Sequence, residues 1–460
     1  MILKPPTMLI TALLAGCVSM APQYERPVAP VAASFPDAGT AAGSQAASAI
    51  EWQQFFNDAR LKALIELALA NNRDLRVAVL NIEQARAQYQ IRRADQFTGV
   101  NLGVSGNRLP ASGGGINSTY TAGLVVSSFE LDFFGRVRSL GDVALAQFLA
   151  TEEARKNVHI SLVAAVANTY LTLLADEELL ALTRQTLATR EQSLNLIQLK
   201  YDSGVVSALD LSQARSLVEG ARATLAQQQR QRSVDENALV LLLGQPLPAN
   251  LPPRQPLSSV LAGAALPAGL PSEVLTARPD VRQAEQQLIA ANANIGAARA
   301  AFFPRISLTG SAGSASSELS GLFQGGSFAW SFAPQLLMPL FDAGRNSASL
   351  GAATASRDVA VAQYERAVQA AFRDVADALA GRATFGEQLR AQNAQAAAEA
   401  ERFRLSDLRY QNGAASFLDL LDVQRSLFLI QQSAVQTNLL QLQNQVSLYK
   451  ALGGGWSAAK

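Results

Sequence analysis

The chain has 460 residues, 49% hydrophobic and 16% charged, and its 38 basic and 37 acidic residues leave a formal net charge of +1. That balance gives no electrostatic case for nucleic acid or a strongly anionic partner, and the apolar content excludes a disordered chain. A single cysteine excludes intrachain disulfides, so the fold is held without covalent staples.

That cysteine closes the run Leu14-Ala15-Gly16-Cys17, after a positive start (Met1, Lys4) and an apolar stretch from Met8 to Ala15. The pattern matches a bacterial lipobox: residues 1–16 read as a lipoprotein signal peptide, and the Cys17 thiol as the acceptor of a covalent lipid. Val18 lacks the Asp that would retain such a protein at the inner membrane, so sorting to the outer membrane is expected. Residues 17–50 are rich in Ala, Pro, Ser and Gly, including Pro22, Pro27, Pro30 and Pro36. They read as an extended, lipid-anchored tether that supplies reach and not packing. After the signal, no run of about 18 apolar residues is evident, so no helical span is expected and any further membrane contact must use strands.

The rest of the chain is written twice. Leu199-Lys200-Tyr201-Asp202-Ser203-Gly204, with Leu209-Asp210-Leu211, returns 209 residues later as Leu408-Arg409-Tyr410-Gln411-Asn412-Gly413, with Leu418-Asp419-Leu420. Asn72-Arg73-Asp74-Leu75-Arg76 likewise matches Arg278-Pro279-Asp280-Val281-Arg282, and Gly135-Arg136 matches Gly344-Arg345. Two repeats follow, 51–244 and 272–460, joined by a linker at 245–271 whose prolines cannot continue a helix.

Each repeat predicts a helix, two strands and a long helical hairpin. In the first, the strands fall at about 98–108 and 119–133 and the hairpin at about 142–243; in the second, the strands at about 304–313 and 327–340 and the hairpin at about 346–452. From Asp142 to Tyr201 there is neither proline nor glycine, enough for a rod of roughly 90 Å. Val166, Leu173, Leu180, Leu187, Leu194 and Tyr201 share one heptad position, and Leu211, Val218, Leu225 and Leu239 continue it after the turn, broken at Arg232. Leu389, Ala396, Phe403 and Tyr410, then Leu421, Phe428, Val435, Leu442 and Tyr449, repeat the pattern of an antiparallel coiled-coil hairpin.

Val100 to Asn107 and Ile306 to Ser311 alternate apolar with small or polar residues, and Phe328, Trp330 and Phe332 share a face. The apolar phase of the second strand switches near Ser127-Ser128, which predicts a bulge. An apolar outside and a small polar inside describe the wall of a transmembrane barrel. Four strands cannot close one, and open edges are intolerable in lipid, so several copies must pool their strands; the count alone allows a dimer or a trimer.

The lipobox, the opening Trp52-Gln53-Gln54-Phe55-Phe56-Asn57-Asp58 with Leu61 and Leu64, and Phe303-Pro304 entering a strand are shared features of one known family. So are the duplicated Tyr-x-x-Gly turn with Leu-Asp and the ending Leu448-Tyr449-Lys450-Ala451-Leu452-Gly453-Gly454-Gly455-Trp456. Over essentially its whole length the chain resembles the TolC-type outer-membrane efflux proteins, within them the lipoprotein subgroup typified by OprM. The resemblance implies a mainly α fold with a transmembrane β-barrel: a homotrimer with a twelve-stranded barrel in outer-membrane lipid, continuous with a periplasmic tube of twelve helices. It implies as partners a periplasmic membrane-fusion adaptor and an inner-membrane, proton-driven pump of the resistance-nodulation-division type. The role implied is a passive, gated exit duct for drugs and other small molecules. A duct for metal cations or polypeptides, and a non-conducting structural lipoprotein, are the alternatives.

The gate is expected where the long helices turn, at Gly204 and Gly413. Asp419 and Asp422, three residues apart, share a helix face, and threefold symmetry would gather six carboxylates there. The resemblance assigns Leu418, Asp419 and Asp422 to the constriction, and closed-state links to Asp210 and Tyr410. Such a ring would favour cations and repel itself; the competing reading is that the two acids only serve a helix start. The arginine that TolC carries two residues after the second glycine is replaced by Ala415, with Arg409 as a substitute. No catalytic set, metal cluster or phosphate loop is present: His159 stands alone in a long helix, and Met8, Met20 and Met338 are scattered. No cofactor is expected beyond the lipid on Cys17.

Overall fold

The computed structural model describes residues 19–36, 50–261 and 272–456; Cys17 lies outside the described residues. In chain order the elements are α1 (Trp52–Phe55), α2 (Ala59–Asn71), α3 (Arg73–Ala94), β1 (Asn101–Pro110), β2 (Ile116–Leu131), α4 (Arg136–Asp202) and α5 (Ala208–Leu243). The second repeat follows with α6 (Pro279–Ala300), β3 (Arg305–Ser316), β4 (Phe328–Leu337), α7 (Arg345–Gln411) and α8 (Phe417–Ala451). α4 and α7 are each 67 residues long. α4 begins at Arg136, before the expected 142, because Gly141 is absorbed into the helix, at a propensity cost of about 1 kcal/mol. β4 ends at Leu337, short of 340, and β1 and β2 extend to a tighter tip at Ala111–Gly115.

The chain divides into two units. The first holds residues 19–29, 80–154 and 282–367 and is built on one antiparallel sheet of order β1-β2-β3-β4. The repeats join at β2 and β3, where Gly123 faces Gly313. The register shifts between Val126 and Phe129, with Ser128 at φ 55°, so the bulge lies where the apolar phase switches. Hydroxyl pairs cross the strands at Ser105–Thr121 and Ser311–Ser331, both 2.7 Å. Leu102, Val104, Phe328, Trp330 and Phe332 are exposed. β1 and β4 are the edges, and each lacks a strand neighbour on its outer side.

At the foot of the strands Glu130 is nearly buried and accepts from Arg136 at 2.8 and 2.6 Å while pairing with Arg305 at 2.6 Å. One carboxylate thus ties β2, β3 and the start of α4. Phe134 stacks on Phe303 beside it, centroids 4.7 Å apart.

The tether segment 19–29 packs, contrary to the expectation of mere reach. Arg26 donates twice to Glu285 of α6, at 2.7 and 3.0 Å, and the Tyr24 hydroxyl donates to the same carboxylate at 3.0 Å. Asn292 and Arg299 donate to the carbonyls of Pro22 and Met20 at 2.8 and 3.2 Å. A Cβ on Gly296 would lie 2.7 Å from the Ala21 nitrogen, so that glycine makes room for the segment. The prolines hold the chain extended, and α6 satisfies its backbone.

The second unit holds residues 30–36, 50–79, 155–261, 272–281 and 368–456. Its core gathers Trp52, Phe55, Phe56, Leu61, Leu64 and Ile65 with Val166, Tyr170, Leu171, Leu243 and Val446. Asp58 caps α2 by accepting from the Leu61 N–H. Tyr449 lies flat on Phe55 at 4.0 Å and donates to the Ile50 carbonyl at 2.5 Å, so the opening and closing motifs of the sequence meet in one core. The linker joins this core through Leu257, Val260 and Leu261. α4 does contain a window long and apolar enough to cross a membrane, with mean hydropathy 1.6, against the expectation of none. Most of it is buried, because Val163 to Ala175 supply core side chains.

Asp176 of α4 is buried, and that burial, with the Asp235 carboxylate of α5 next and against the pull of Arg232, pushes it up to about 7. From the ordinary value near 3.8 up to about 7 the folded chain holds a proton that the unfolded chain has released. Stability therefore falls as pH rises through that window and levels above it. Melting temperatures of wild type and Asp176→Asn, measured from pH 5 to 8 in detergent, should converge at the acid end and separate at the alkaline end, with the variant higher. Parallel curves would remove Asp176 from the account.

Candidate functional site

Both hairpin turns are built the same way. Gly204 (φ 75°) and Gly413 (φ 73°) take the left-handed conformation that glycine adopts without a Cβ clash. In the first turn the N–H groups of Gly204 and Val205 reach back to the carbonyls of Tyr201 and Lys200, each at 2.8 Å. In the second, Gly413 and Ala414 reach Tyr410 and Arg409 at 3.1 and 2.8 Å. These are Schellman-type endings for α4 and α7.

The returning helices start on matched capping boxes. The Ser207 hydroxyl accepts from the Asp210 N–H at 3.2 Å while the Asp210 carboxylate accepts from the Ser207 N–H at 3.1 Å. Ser416 and Asp419 repeat the arrangement at the same distances. Asp210 and Asp419 are thus one position of the repeat, and each closes the N-terminus of its helix. The spacing Ser-x-x-Asp was readable in the sequence, yet the acids alone drew the assignment. Bonding to the Ser416 side chain, then to its backbone, holds the Asp419 carboxyl below the usual range.

The first turn of α8 has two faces. Phe417, Leu420 and Leu421 are buried in a cluster with Ile197, Leu211, Ala214 and Tyr410. Leu418, Asp419 and Asp422 are exposed, Leu418 by 58%. The three expected gate residues therefore share a face. Asp422 is not a bare charge, since Arg402 of α7 donates to it at 3.0 Å and also contacts Glu399 at 3.2 Å. Sequence reasoning missed Arg402, which lies twenty residues away on another helix.

The expected links are placed apart within one chain. Asp210 serves its capping box, whereas Tyr410 is buried against Phe417 (5.6 Å) under the Lys200 ammonium (4.3 Å), with its hydroxyl unpartnered. Arg409 donates to the Ala414 carbonyl at 3.2 Å and so closes its own turn. His159 is a core residue: its ring meets Trp456 edge-on at 5.1 Å, and burial, then Arg155, push it down to about 4.

The sequence pattern of the family described as outer membrane efflux protein matches residues 64–245 and 270–454. The chain belongs to that family. It is 49% identical to the antibiotic efflux pump outer membrane protein ArpC of Pseudomonas putida and, equally, to the toluene efflux pump outer membrane protein TtgC of a solvent-exporting strain of the same species. Both alignments cover 97% of this chain and 94% of the relative. Among solved structures it is similar to the open state of the MtrE outer membrane channel of Neisseria gonorrhoeae: TM-score 0.87, 41% identity, 95% of this chain and 98% of that one. As an outer membrane efflux protein the chain resides in the outer membrane with a periplasmic extension. The four-stranded sheet and the paired helical hairpins are the efflux protein's own fold.

Proposed function

We propose that this efflux protein acts as a homotrimer, anchored by lipid on Cys17, that forms the passive exit duct of a tripartite pump. A membrane-fusion adaptor and a pump of the resistance-nodulation-division type supply contact and energy. The observation that carries the reading is the sheet. It has two strand faces of opposite polarity and two open edges, β1 and β4, which lipid cannot satisfy. Three copies would close twelve strands, and their hairpins would line a tube. Relatives named for antibiotic and toluene efflux support small organic molecules as the cargo.

In this reading Leu418, Asp419 and Asp422 narrow the tube at the α7–α8 turn, and Asp210 and Tyr410 meet neighbouring copies when it is shut. Adaptor binding spreads the turns. A deletion strain should become sensitive to hydrophobic antibiotics and toluene, and the wild-type gene should restore resistance. Sensitivity confined to copper or silver would instead indicate a metal duct. Purified protein that inserts in planar bilayers yet never conducts would leave only a structural role.

A further inference from the structure

A cavity of about 260 Å³ lies within the second unit, between α4 on one side and α7 and α8 on the other. Its lining includes Thr186 and Arg190 of α4, Phe403 of α7, and Gln424, Leu427 and Phe428 of α8. Arg190 is only 7% exposed, and Gln424 only 8%. The Arg190 guanidinium has a single hydrogen bond, from Nη1 to the Leu217 carbonyl at 3.2 Å, and its Nε is buried without a partner. Gln424 donates weakly to the Ser193 hydroxyl at 3.4 Å, and its Oε1 is also buried and unpartnered. The Arg190 guanidinium lies over the Phe428 ring at 5.3 Å.

No carboxylate pairs with Arg190 among the described residues. The one charge that acts on it is the like charge of Arg425, which adds to burial in lowering its proton affinity. A buried guanidinium normally carries an anion, because removing it from water uncompensated is costly. Here the donors border a space walled by two aromatic rings and a leucine, with amide and hydroxyl groups at its margin.

We propose that this cavity binds a small organic anion, a carboxylate or sulfonate on an apolar or aromatic body. The guanidinium, stacked on Phe428 and carrying a free Nε, takes the anionic group through charge-assisted hydrogen bonds. Phe403 and Leu427 cover the apolar body. Because Arg190 belongs to the first hairpin and Gln424 and Phe428 to the second, a bound anion ties the two together. The site is separate from the gate residues and does not depend on their assignment.

Benzoate is a suitable probe, titrated calorimetrically into the purified full-length protein in neutral detergent. The wild type should bind it saturably, one per chain, and Arg190→Met should weaken binding at least tenfold. Gln424→Glu provides the second variant, since it places a carboxylate beside Arg190 with little change in shape. It should abolish benzoate binding and raise the melting temperature. Absence of saturable binding by the wild type, or equal binding by wild type and Gln424→Glu, would overturn the proposal.

Discussion

An Asp419→Asn, Asp422→Asn double variant is expected to pass severalfold larger single-channel currents than wild type in planar bilayers, with a weaker preference for cations. Asparagine keeps an acceptor for the Ser416 N–H, so the start of α8 survives while both charges vanish. Ser416→Ala makes the complementary change: it removes the cap, costs about 1 kcal/mol of helix stability, and leaves the carboxylates. If currents grow in Ser416→Ala but not in the double asparagine variant, the acids hold the turn together and do not narrow the pore. The two single variants should also differ. Asp422 is answered by Arg402 at 3.0 Å, whereas Asp419 bonds only to its own cap. Asp419→Asn should therefore reduce cation selectivity more than Asp422→Asn, and Arg402→Gln should raise it. Reversal potentials across a salt gradient read these differences, and equal shifts from the two aspartates would remove Arg402 from the gate.

Periodicity carried most of the fold because each element buries one face. Val166, Leu173 and Leu180 are buried as their heptad implies, but Leu199 and Tyr201 near the turn are exposed in the single chain. A heptad announces a covered face without naming the cover. α3 makes the same point: none of its side chains is buried, although its repeat counterpart α6 buries Val281, Leu288 and Ile295. The gate face was legible from three residues on one helix. Arg402 was not, because which residue of α7 stands opposite Asp422 depends on how the turn sets the two helices. Arg190 was hidden for a different reason. An arginine in a long polar-faced helix reads as solvated, and only packing reveals that Phe428 and Leu217 enclose it. The tether misled through composition, since an Ala- and Pro-rich segment looks the same whether it is free or held by Glu285 and Asn292.

Alanine at Gly123 is expected to abolish assembly of the barrel, with little or no oligomer recovered from the outer membrane. Gly123 and Gly313 stand directly opposite each other on β2 and β3. A Cβ on Gly123 would lie 2.5 Å from the Gly313 Cα and closer still to the Ala312 carbonyl oxygen, and a Cβ on Gly313 would meet Ala122 and Gly123 in the same way. These obstacles are backbone atoms, so no rotamer relieves them. The strands must separate where the hydrogen-bond ladder joins the two repeats, and in lipid the freed groups find no water. Overpacking a core typically costs about 1–3 kcal/mol; a backbone clash exceeds that range, and a closed ring repeats it in every copy. Gly103 is a matched control on β1, because its added Cβ would meet only the Val125 side chain at 3.0 Å, and Gly113 in the tip loop has nothing within 4 Å. Gly113→Ala should assemble as wild type and Gly103→Ala should lose only part of the yield. Assembly of Gly123→Ala at wild-type levels would mean that the sheet has more slack between β2 and β3 than the Gly123–Gly313 approach allows.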